Sequence, residues 1–323
     1  MPFLNRTSHS QAGEALLWEG DAYLPNSSPE RGLNEVGLPA LLAQRRLCGH
    51  VDCSNGWTMP WRSRRRPIFE DQWGCSGRCV LAMVREALRR EAGDGITRAA
   101  TTPHRHRVPL GLLMLAQGWI THPQLQRALE AQRRNGTGKI GEWLIAECGL
   151  EAEQVTRGLS MQWNCPVLSA EGFLPETMAL VMPGFFVERF GLMPLRIAGS
   201  RILYLAFEDG LDASASLAVE QMAGLKVESG VLNEVHLRAA RRRVLQCDSV
   251  ETKLEAASDA DTLAGRITAI LEQKQPVASR LVRLHQYYWL RLWLEEGTTG
   301  KLGRLPISRE DMCDYVFSVG PQS

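Results

Sequence analysis

The chain has 323 residues, of which 44% are hydrophobic and 23% are charged, and these values are typical of globular rather than disordered proteins. The 37 basic and 36 acidic residues give a net charge of +1. Overall charge therefore does not favour nucleic acid as a partner, although a local basic patch could still bind it. The length predicts two or three domains.

The sequence shows neither the pattern of a membrane-spanning helix nor that of a signal peptide. No apolar run approaches the ~18 residues of a membrane-spanning helix. The first 20 residues lack the basic segment and apolar segment of a signal peptide. We therefore expect a cytoplasmic protein whose cysteines are reduced thiols.

Four of the eight cysteines cluster behind a polar N-terminal extension, residues 1–47. They form two close pairs, Cys48-x4-Cys53 and Cys75-x3-Cys79. Paired thiolates of this kind supply the tetrahedral ligand set that zinc prefers. A helix predicted over residues 80–91 begins at the second pair, where its N-terminus stabilises thiolate. We predict a structural zinc finger, of zinc-ribbon or treble-clef type, over residues 48–91.

The ligand set of this finger leaves one alternative open, because His50 lies inside the first pair and could replace Cys53. Four thiolate ligands leave no open coordination position, which argues against zinc catalysis. The remaining cysteines are scattered, and we interpret them as small apolar core residues. These are Cys148, Cys165, Cys247 and Cys313.

The segment between the cysteine pairs is rich in aromatic and basic side chains. Together they could bind nucleic acid by stacking and phosphate contact. In the alternative interpretation, the aromatic residues form the small core of the finger and the arginines are solvated. The residues concerned are Trp57, Trp61, Arg62, Arg64, Arg65, Arg66, Phe69 and Trp73.

An internal repeat follows a Gly-, Thr- and Pro-rich linker, residues 92–108. Residues 109–132 align with residues 139–162 at an offset of 30. Each copy predicts a short helix, a turn at a glycine and a longer helix. Thr121 is placed to cap the longer helix of the first copy, because a proline follows in its first turn.

The residues after the repeat predict a small α+β unit. A strand is expected at 166–168, helices at 175–181, 183–190 and 213–223, a hairpin over 191–206, a strand at 226–229 and a helix over 233–244 capped by Asn233. Residues 245–262 are acidic and polar, which is typical of a linker. The spacing of Leu281, Leu284, Tyr288 and Leu292 then predicts a C-terminal helical segment over residues 263–323.

The predicted fold class is therefore α+β and multi-domain. A small zinc finger is followed by tandem helical hairpins packed with a small α+β unit, and then by the C-terminal helical segment.

Residues 109–244 resemble the N-terminal domain of type II secretion and type IV pilus assembly ATPases. The resemblance is carried by the doubled motif of Leu-Gly, Leu-Leu, Gly, Leu, Leu and Gln. It continues through QWNCPVL at 162–168 and FFVERFGLMPLRIAGSRILYLAFED at 185–209. It covers a little under half of the chain, and the order and spacing of the motifs agree throughout.

The resemblance implies a ligand, because some members of that family bind cyclic di-GMP through the two tandem motifs. A ligand with two-fold symmetry suits a duplicated hairpin, and a glycine at each helix start lets the backbone approach a phosphate. The nucleotide-binding residues carried over from the family pattern are Leu110, Gly111, Met114, Gly118, Leu125, Leu129 and Gln132 for the first copy. Arg107, two residues before Pro109, is included with them as a substitute for the Arg with which the motif usually begins. For the second copy the carried-over residues are Lys139, Ile140, Gly141, Leu144, Val155, Leu159 and Gln162.

The sequence departs from the family pattern at three places. Pro109 stands where the first motif usually begins with Arg, and Lys139 begins the second. The turn glycine of the second copy is displaced to Gly149, behind Cys148. The alternative to nucleotide binding is a purely structural or protein-binding pair of stacked hairpins.

The ATPase half of such proteins has no counterpart motif here. Residues 135–140 and 297–302 superficially suggest phosphate-binding loops. Both lack the first glycine, and Ile140 and Leu302 replace the Ser or Thr that would hold magnesium. We therefore expect a non-enzymatic regulatory or scaffolding protein that contacts a protein partner of a secretion, pilus or signalling system. Nucleic-acid binding through the finger is the alternative function.

Overall fold

A computed structural model describes residues 48–53, 68–93, 107–199, 201–208, 210–294 and 309–320. All of them belong to one compact unit, Arg45–Ser323. The predicted N-terminal extension lies outside the described residues, as does most of the 92–108 linker. None of the described helices combines the length and the apolar character that crossing a membrane requires.

The cysteine-rich segment forms a small hairpin and one long helix. The elements are β1 (Ile68–Phe69), β2 (Gln72–Trp73) and α1 (Gly77–Ala92). The side chain of Ser76 caps α1 by accepting a hydrogen bond from the backbone N–H of Cys79, at 3.3 Å. The helix predicted over residues 80–91 is thus confirmed, with one more turn at its N-terminal end.

The predicted repeat is a set of four helices. They are α2 (Leu110–Ala116), α3 (His122–Asn135), α4 (Ile140–Cys148) and α5 (Ala152–Trp163). The backbone N–H of Thr121 donates to Oε1 of Gln124 at 2.8 Å, which closes the start of α3. Gly118 and Gly149 both have a positive φ, +70° and +69°, so the displaced glycine of the second copy still supplies the left-handed residue that its turn needs.

The predicted α+β unit follows with most of its elements in place. They are α6 (Pro175–Met178), α7 (Gly184–Phe190), β3 (Leu192–Ala198), β4 (Ile202–Phe207), α8 (Ala213–Ala223), β5 (Lys226–Val231) and α9 (Glu234–Gln246). Strands β3 and β4 form the expected antiparallel hairpin, and β5 pairs with β4 in parallel. The strand expected at 166–168 is reduced to a single bridge between Val167 and Val231.

The prediction of a C-terminal helical segment is wrong, because this part of the chain is mainly a sheet. Its elements are β6 (Glu251–Ala257), α10 (Ala260–Lys274), β7 (Ala278–Leu284), β8 (Tyr287–Trp293) and β9 (Met312–Val319). The sheet order is β6-β9-β8-β7, with β6 and β9 parallel and the other neighbours antiparallel. The predicted linker 245–262 is wrong for the same reason, since it contains β6.

The linker error arises because β6 is a polar edge strand, whereas the helical prediction failed because the central strands of the sheet are buried. Helices α1 and α10 cover one face, where Leu281, Leu290 and Phe317 are buried. The opposite face packs into the core of the α+β unit through residues such as Trp289 and Val316. A sheet buried on both faces has continuous apolar strands instead of alternating ones, and two such strands joined by a turn imitate helical spacing.

Helix α1 is therefore part of the same core as the C-terminal sheet. It lies against α10, where Nε of Arg85 is 2.9 Å from a carboxylate oxygen of Asp261. The buried side chains of α1, among them Val84 and Leu88, pack with Leu263 and Ile267 of α10. The predicted finger thus shares its hydrophobic core with residues that follow the α+β unit in sequence.

A buried ion pair lies where the sheet meets the α+β unit. Arg291 donates to both carboxylate oxygens of Asp314, at 2.8 and 2.7 Å, and to the carbonyl oxygen of Val181 at 3.0 Å. Nε1 of Trp289 donates to the same carboxylate at 3.0 Å. The pair is fully enclosed, so its charges are satisfied by these contacts rather than by water.

Candidate ligand platform and metal centre

Two glutamines join the copies of the repeat in equivalent ways. Nε2 of Gln132, near the end of the first copy, donates to the carbonyl oxygen of Gly138 at 3.0 Å. Nε2 of Gln162, at the end of the second copy, donates to the carbonyl oxygen of Val108 at 2.9 Å. Both the donors and the acceptors are 30 residues apart. The last residue of each copy thus binds the backbone just before the first residue of the other copy. This reciprocal arrangement is the one expected for two copies related by a pseudo-two-fold axis.

The motif glycines let the helices of each copy approach closely. A β-carbon on Gly111 would lie 2.5 Å from Cδ1 of Leu125, and one on Gly141 would lie 2.9 Å from Cγ1 of Val155. A methyl group at Gly111 would force the tip of the Leu125 side chain to move, and one at Gly141 would crowd the stiffer, β-branched Val155. Cδ2 of Leu110 lies 3.9 Å from the same point at Gly141. The N-terminal ends of α2 and α4 are accordingly neighbours.

Most of the apolar residues carried over from the family pattern lie in the core of the repeat. The buried members of this set are Leu110, Gly111, Met114, Leu125, Leu144 and Val155. Leu129, Ile140 and Leu159 are partly buried and pack against them. These side chains hold the four helices together. Of the remaining residues in this set, Gly118 and Lys139 are exposed, whereas Arg107, Gln132 and Gln162 are half-buried.

A basic side chain lies close to the start of each copy of the repeat, Arg107 two residues before the first and Lys139 as the first residue of the second. The guanidinium of Arg107 lies over the ring of Trp163, burial lowers its pKa, and Nη1 has no hydrogen-bond partner among the described residues. Nζ of Lys139 is 3.4 Å from Oε1 of Glu208, and the other oxygen of Glu208 accepts from Arg241 at 2.8 Å. Both residues lie next to the starts of α2 and α4 in the chain, Arg107 with its guanidinium against the last residue of α5 and Lys139 with its ammonium group beside Glu208.

The four clustered cysteines converge on one point. Their Sγ atoms, from Cys48, Cys53, Cys75 and Cys79, all lie within 4.8 Å of one another. The backbone folds around this point, since the N–H of Cys53 donates to the carbonyl of His50 at 3.1 Å and the N–H of Cys75 donates to Sγ of Cys48 at 3.4 Å. His50 is not in the group, so the geometry favours Cys53 as the fourth ligand.

The thiols of this cluster shift one another's pKa values. Burial, followed by hydrogen bonds from the neighbouring thiols of Cys53, Cys79 and Cys48, raises the pKa of Cys75 to about 12. Burial alone also raises the pKa of Cys48, but hydrogen bonds from the backbone at Cys75 and His50 and from the neighbouring thiols more than offset it, and the net direction is downward. Four soft sulfur donors at this spacing can hold a metal ion, whose charge would stabilise all four thiolates.

The aromatic residues of the cysteine-rich segment divide into two groups. Phe69 and Trp73 are buried, and Phe69 belongs to the core formed by α1, α10 and the sheet. These two rings therefore have the structural role that we gave as the alternative to nucleic-acid stacking. Trp57, Trp61 and the four arginines at positions 62, 64, 65 and 66 lie outside the described residues.

One cleft was not predicted from the sequence. It has a volume of about 620 Å³ and lies between α5, the 167–171 loop and the start of α9, with Arg157 and His236 among its lining residues. No motif joins these positions, which come together through contacts such as the bridge of Val167 to Val231 and the hydrogen bond that Asn233 donates to Glu153 at 3.2 Å. Acidic Glu153 and Glu171 line the cleft as well, so its lining contains side chains of both charges.

No protein-family model matches the chain. Over 136 residues it is 30% identical to the type IV pilus assembly ATPase PilB of Myxococcus xanthus, a match that covers 42% of this chain and 24% of PilB. The predicted resemblance to secretion and pilus assembly ATPases is confirmed. The chain therefore spans about a quarter of the length of this relative.

Other similar proteins match a comparable share of this chain. Bacteriophage adsorption protein B of Escherichia coli K12 is 28% identical over 143 residues, which cover 43% of this chain and 19% of that protein. A structure of MshE with cdg (cyclic di-GMP) is 25% identical, with a TM-score of 0.35, and covers 43% of this chain and 99% of that one. The N-terminal domain of XpsE is 21% identical, with a TM-score of 0.29, and covers 42% and 92%.

Proposed function

We propose that residues 107–244 bind one molecule of cyclic di-GMP and that the chain is a regulatory or scaffolding protein without catalytic activity. The observation that carries this proposal is the pair of equivalent bonds, Gln132 to Gly138 and Gln162 to Val108. They give the repeat the pseudo-two-fold symmetry that a ligand with two identical halves would match. The identity of the ligand comes from the resemblance of the doubled motif.

The charge around the helix starts supports a ligand with phosphate groups. Arg107 and Lys139 are the two basic residues in the candidate nucleotide-binding set. Each is adjacent in the chain to a residue whose carbonyl oxygen accepts a glutamine hydrogen bond, Val108 or Gly138, and so each lies near the start of α2 or α4. A phosphate would compete with Glu208 for Lys139, which is half exposed and 3.4 Å from that carboxylate. An exposed pair of this kind contributes little stability, so exchange for a phosphate costs little.

Isothermal titration of the full chain with cyclic di-GMP tests the proposal. We expect saturable heat with one ligand per chain, and we expect Lys139→Glu to weaken binding at least tenfold. Lys226→Glu is the matched control, because Lys226 is an exposed lysine at the start of β5, outside the repeat; it should leave the affinity unchanged. Absence of heat at micromolar protein would instead favour the structural or protein-binding interpretation of the repeat.

The burial of the motif residues is the observation that favours this second candidate function. A repeat whose Leu and Gly positions are explained by helix packing needs no ligand to account for them. In that case the four helices present a rigid surface to a protein partner of a secretion, pilus or signalling system. A nucleotide hydrolysis assay on the full chain should give no product under either function.

We also propose that the cysteine cluster binds structural zinc. Zinc–sulfur bonds of about 2.3 Å place the sulfur atoms of a tetrahedral site about 3.8 Å apart. The Sγ atoms here include pairs at 3.4 Å, Cys53 with Cys75 and Cys75 with Cys79. Small movements would therefore accommodate the ion. All four positions would be filled by protein ligands, which fits a structural role.

A further inference from the structure

The two edges of the C-terminal sheet differ in how their backbone groups are satisfied. On the β7 edge, the N–H of Leu281 donates to Oε1 of Glu70 at 3.4 Å, and the N–H of Arg283 donates to Oε2 of Glu91 at 3.0 Å. The hydroxyl of Ser279 donates to the carbonyl of Ile68 at 2.9 Å. Side chains and backbone from the cysteine-rich segment and α1 thus cap this edge and prevent another strand from pairing there.

The opposite edge, β6, has no such cover from the described part of the chain. It pairs with β9 on one side only. Leu254, at its centre, is 60% exposed, which is unusual for a large apolar residue in the middle of a strand. A bare strand edge with a central exposed leucine is a template for a further strand.

The sequence of β6 is complementary to itself. The strand has seven residues, Glu251–Ala257, with Leu254 at the midpoint. If two copies pair antiparallel around a two-fold axis at Leu254, Lys253 of each copy lies opposite Glu255 of the other. The terminal pairs are Glu251 with Ala257 and Thr252 with Ala256, so no like charges are opposed. Cross-strand pairs of opposite charge stabilise such a ladder.

The side chains on β6 are oriented for this pairing. Lys253 lies 5.8 Å over the ring of Tyr315, and Glu255 is 2.7 Å from Arg266 of α10, so both face the α10 side of the sheet. Leu254 alternates to the other face, where it would meet its symmetry mate. The antiparallel register centred on Leu254 therefore gives ionic contacts on one face of the paired strands and an apolar contact on the other.

We propose that the protein forms a homodimer in which β6 pairs antiparallel with β6 of a second copy, centred on Leu254. The two four-stranded sheets would become one continuous sheet of two-fold symmetry, which is the commonest symmetry of homo-oligomers. This inference concerns assembly and does not depend on the proposed ligand.

Sedimentation analysis of the full chain over a range of concentrations tests the dimer. We expect a species of twice the mass of one chain. Lys253→Glu places two glutamates opposite each other on both sides of the central pair, and Glu255→Lys places two lysines there. Each variant alone should shift the dimer dissociation constant upward at least tenfold.

An equimolar mixture of these two variants gives the sharpest result. In the mixed pair, the two glutamates of one variant would face the two lysines of the other, so heterodimers should form at concentrations at which each variant alone is monomeric. Differently sized tags and native mass spectrometry would identify them. A wild type that is monomeric at every concentration, or a mixture that stays monomeric, overturns the proposal.

A third variant covers the case in which Glu255→Lys disturbs folding by removing the partner of Arg266. Leu254→Asp buries a carboxylate at the centre of the interface and should abolish the dimer. Leu174→Asp is the matched control, since Leu174 is 61% exposed and lies at the start of α6. Equal loss of the dimer in both variants, or in neither, would contradict pairing through β6.

Discussion

The side-chain amide of Gln162 donates to the carbonyl oxygen of Val108 across 54 residues of chain. This bond fastens the last helix of the repeat to the segment that precedes the first. Because the Gln162 side chain is half-buried, we expect Gln162→Ala to lower the free energy of unfolding by about 1 kcal/mol. Chemical denaturation followed by circular dichroism would measure the change.

The symmetry of the repeat supplies its own controls for that experiment. Gln132→Ala should cost a similar amount, because Gln132 makes the equivalent bond to Gly138. Gln126→Ala, at an exposed position of α3, should change stability by less than about 0.5 kcal/mol. A larger effect at Gln126 than at Gln162 would show that the bond has no special role.

The contact of Gly141 with Val155 gives a second prediction. Alanine favours a helix over glycine by up to about 1 kcal/mol, but here its β-carbon would lie 2.9 Å from a methyl group of Val155, which is stiff because it is β-branched. We therefore expect Gly141→Ala to be destabilising by about 1–3 kcal/mol. The Tm of the variant measures the effect.

A double-mutant cycle separates crowding from other causes. Val155→Ala removes the crowding methyl groups, so the double variant should lose less stability than the two single variants add up to. Gly265→Ala in α10 is the control, because a β-carbon there meets no atom within 4 Å, and it should be neutral or stabilising. Additive single effects would contradict a direct clash.

Asp212 makes the stability of the α+β unit depend on pH in the acidic range. Partial burial by itself raises the pKa of Asp212. Hydrogen bonds from His285, at 2.7 Å, and from the residues of the first turn of α8 more than offset this, so its pKa is held well below the ordinary value. The stabilisation is present above the unfolded pKa of about 3.9 and is lost as pH falls below it.

The matching measurement compares Asp212→Asn with the wild type. At pH 7 we expect the variant to unfold about 2 kcal/mol more easily, because asparagine keeps the cap of α8 but loses the charged hydrogen bonds. Below about pH 4 the two proteins should converge. Asp248→Asn, at an exposed site, should show little difference at either pH, and a constant gap for Asp212→Asn down to about pH 2 would refute the assignment.

Metal removal should affect the sheet as well as the cysteine cluster. Helix α1 begins at the cluster and supplies Val84 and Leu88 to the core that it shares with α10. We expect one zinc per chain by elemental analysis, little zinc in Cys75→Ser, and faster hydrogen exchange in β7 and β8 after chelation. Cys247→Ser, at the end of α9, should keep the metal.

The parts of the fold that could be predicted are those with local signals. Thr121 and Asn233 mark helix starts by their capping chemistry, and Asn233 accepts from the N–H of Val235 as expected. The hairpin around residues 198–200 follows from a glycine between two apolar runs. The repeat is visible because similar helices need similar residues at the same spacing.

The parts that could not be predicted depend on contacts between distant segments. Leu281 and Leu284 lie on β7 whereas Tyr288 and Leu292 lie on β8, and only burial on both faces of the sheet produces the spacing that we interpreted as a helix. Strand β6 is polar because it is an edge, so its composition resembles a linker.

The candidate site divides in the same way. Its glycines and glutamines are recognisable in the sequence, but their roles are decided by neighbours that the sequence does not reveal. Gln132 and Gln162 bind the backbone carbonyl of the residue just before the opposite copy. Gly111 and Gly141 provide room for a leucine and a valine. Helix packing thus explains much of what the motif alone attributes to a ligand.

A crystal structure of the full chain grown with saturating cyclic di-GMP tests the central claim most directly. Our account predicts a single nucleotide that spans the starts of α2 and α4, with one phosphate near Arg107 and the other near Lys139. Well-ordered crystals whose repeat holds no nucleotide, or a nucleotide bound to one copy alone, would contradict it.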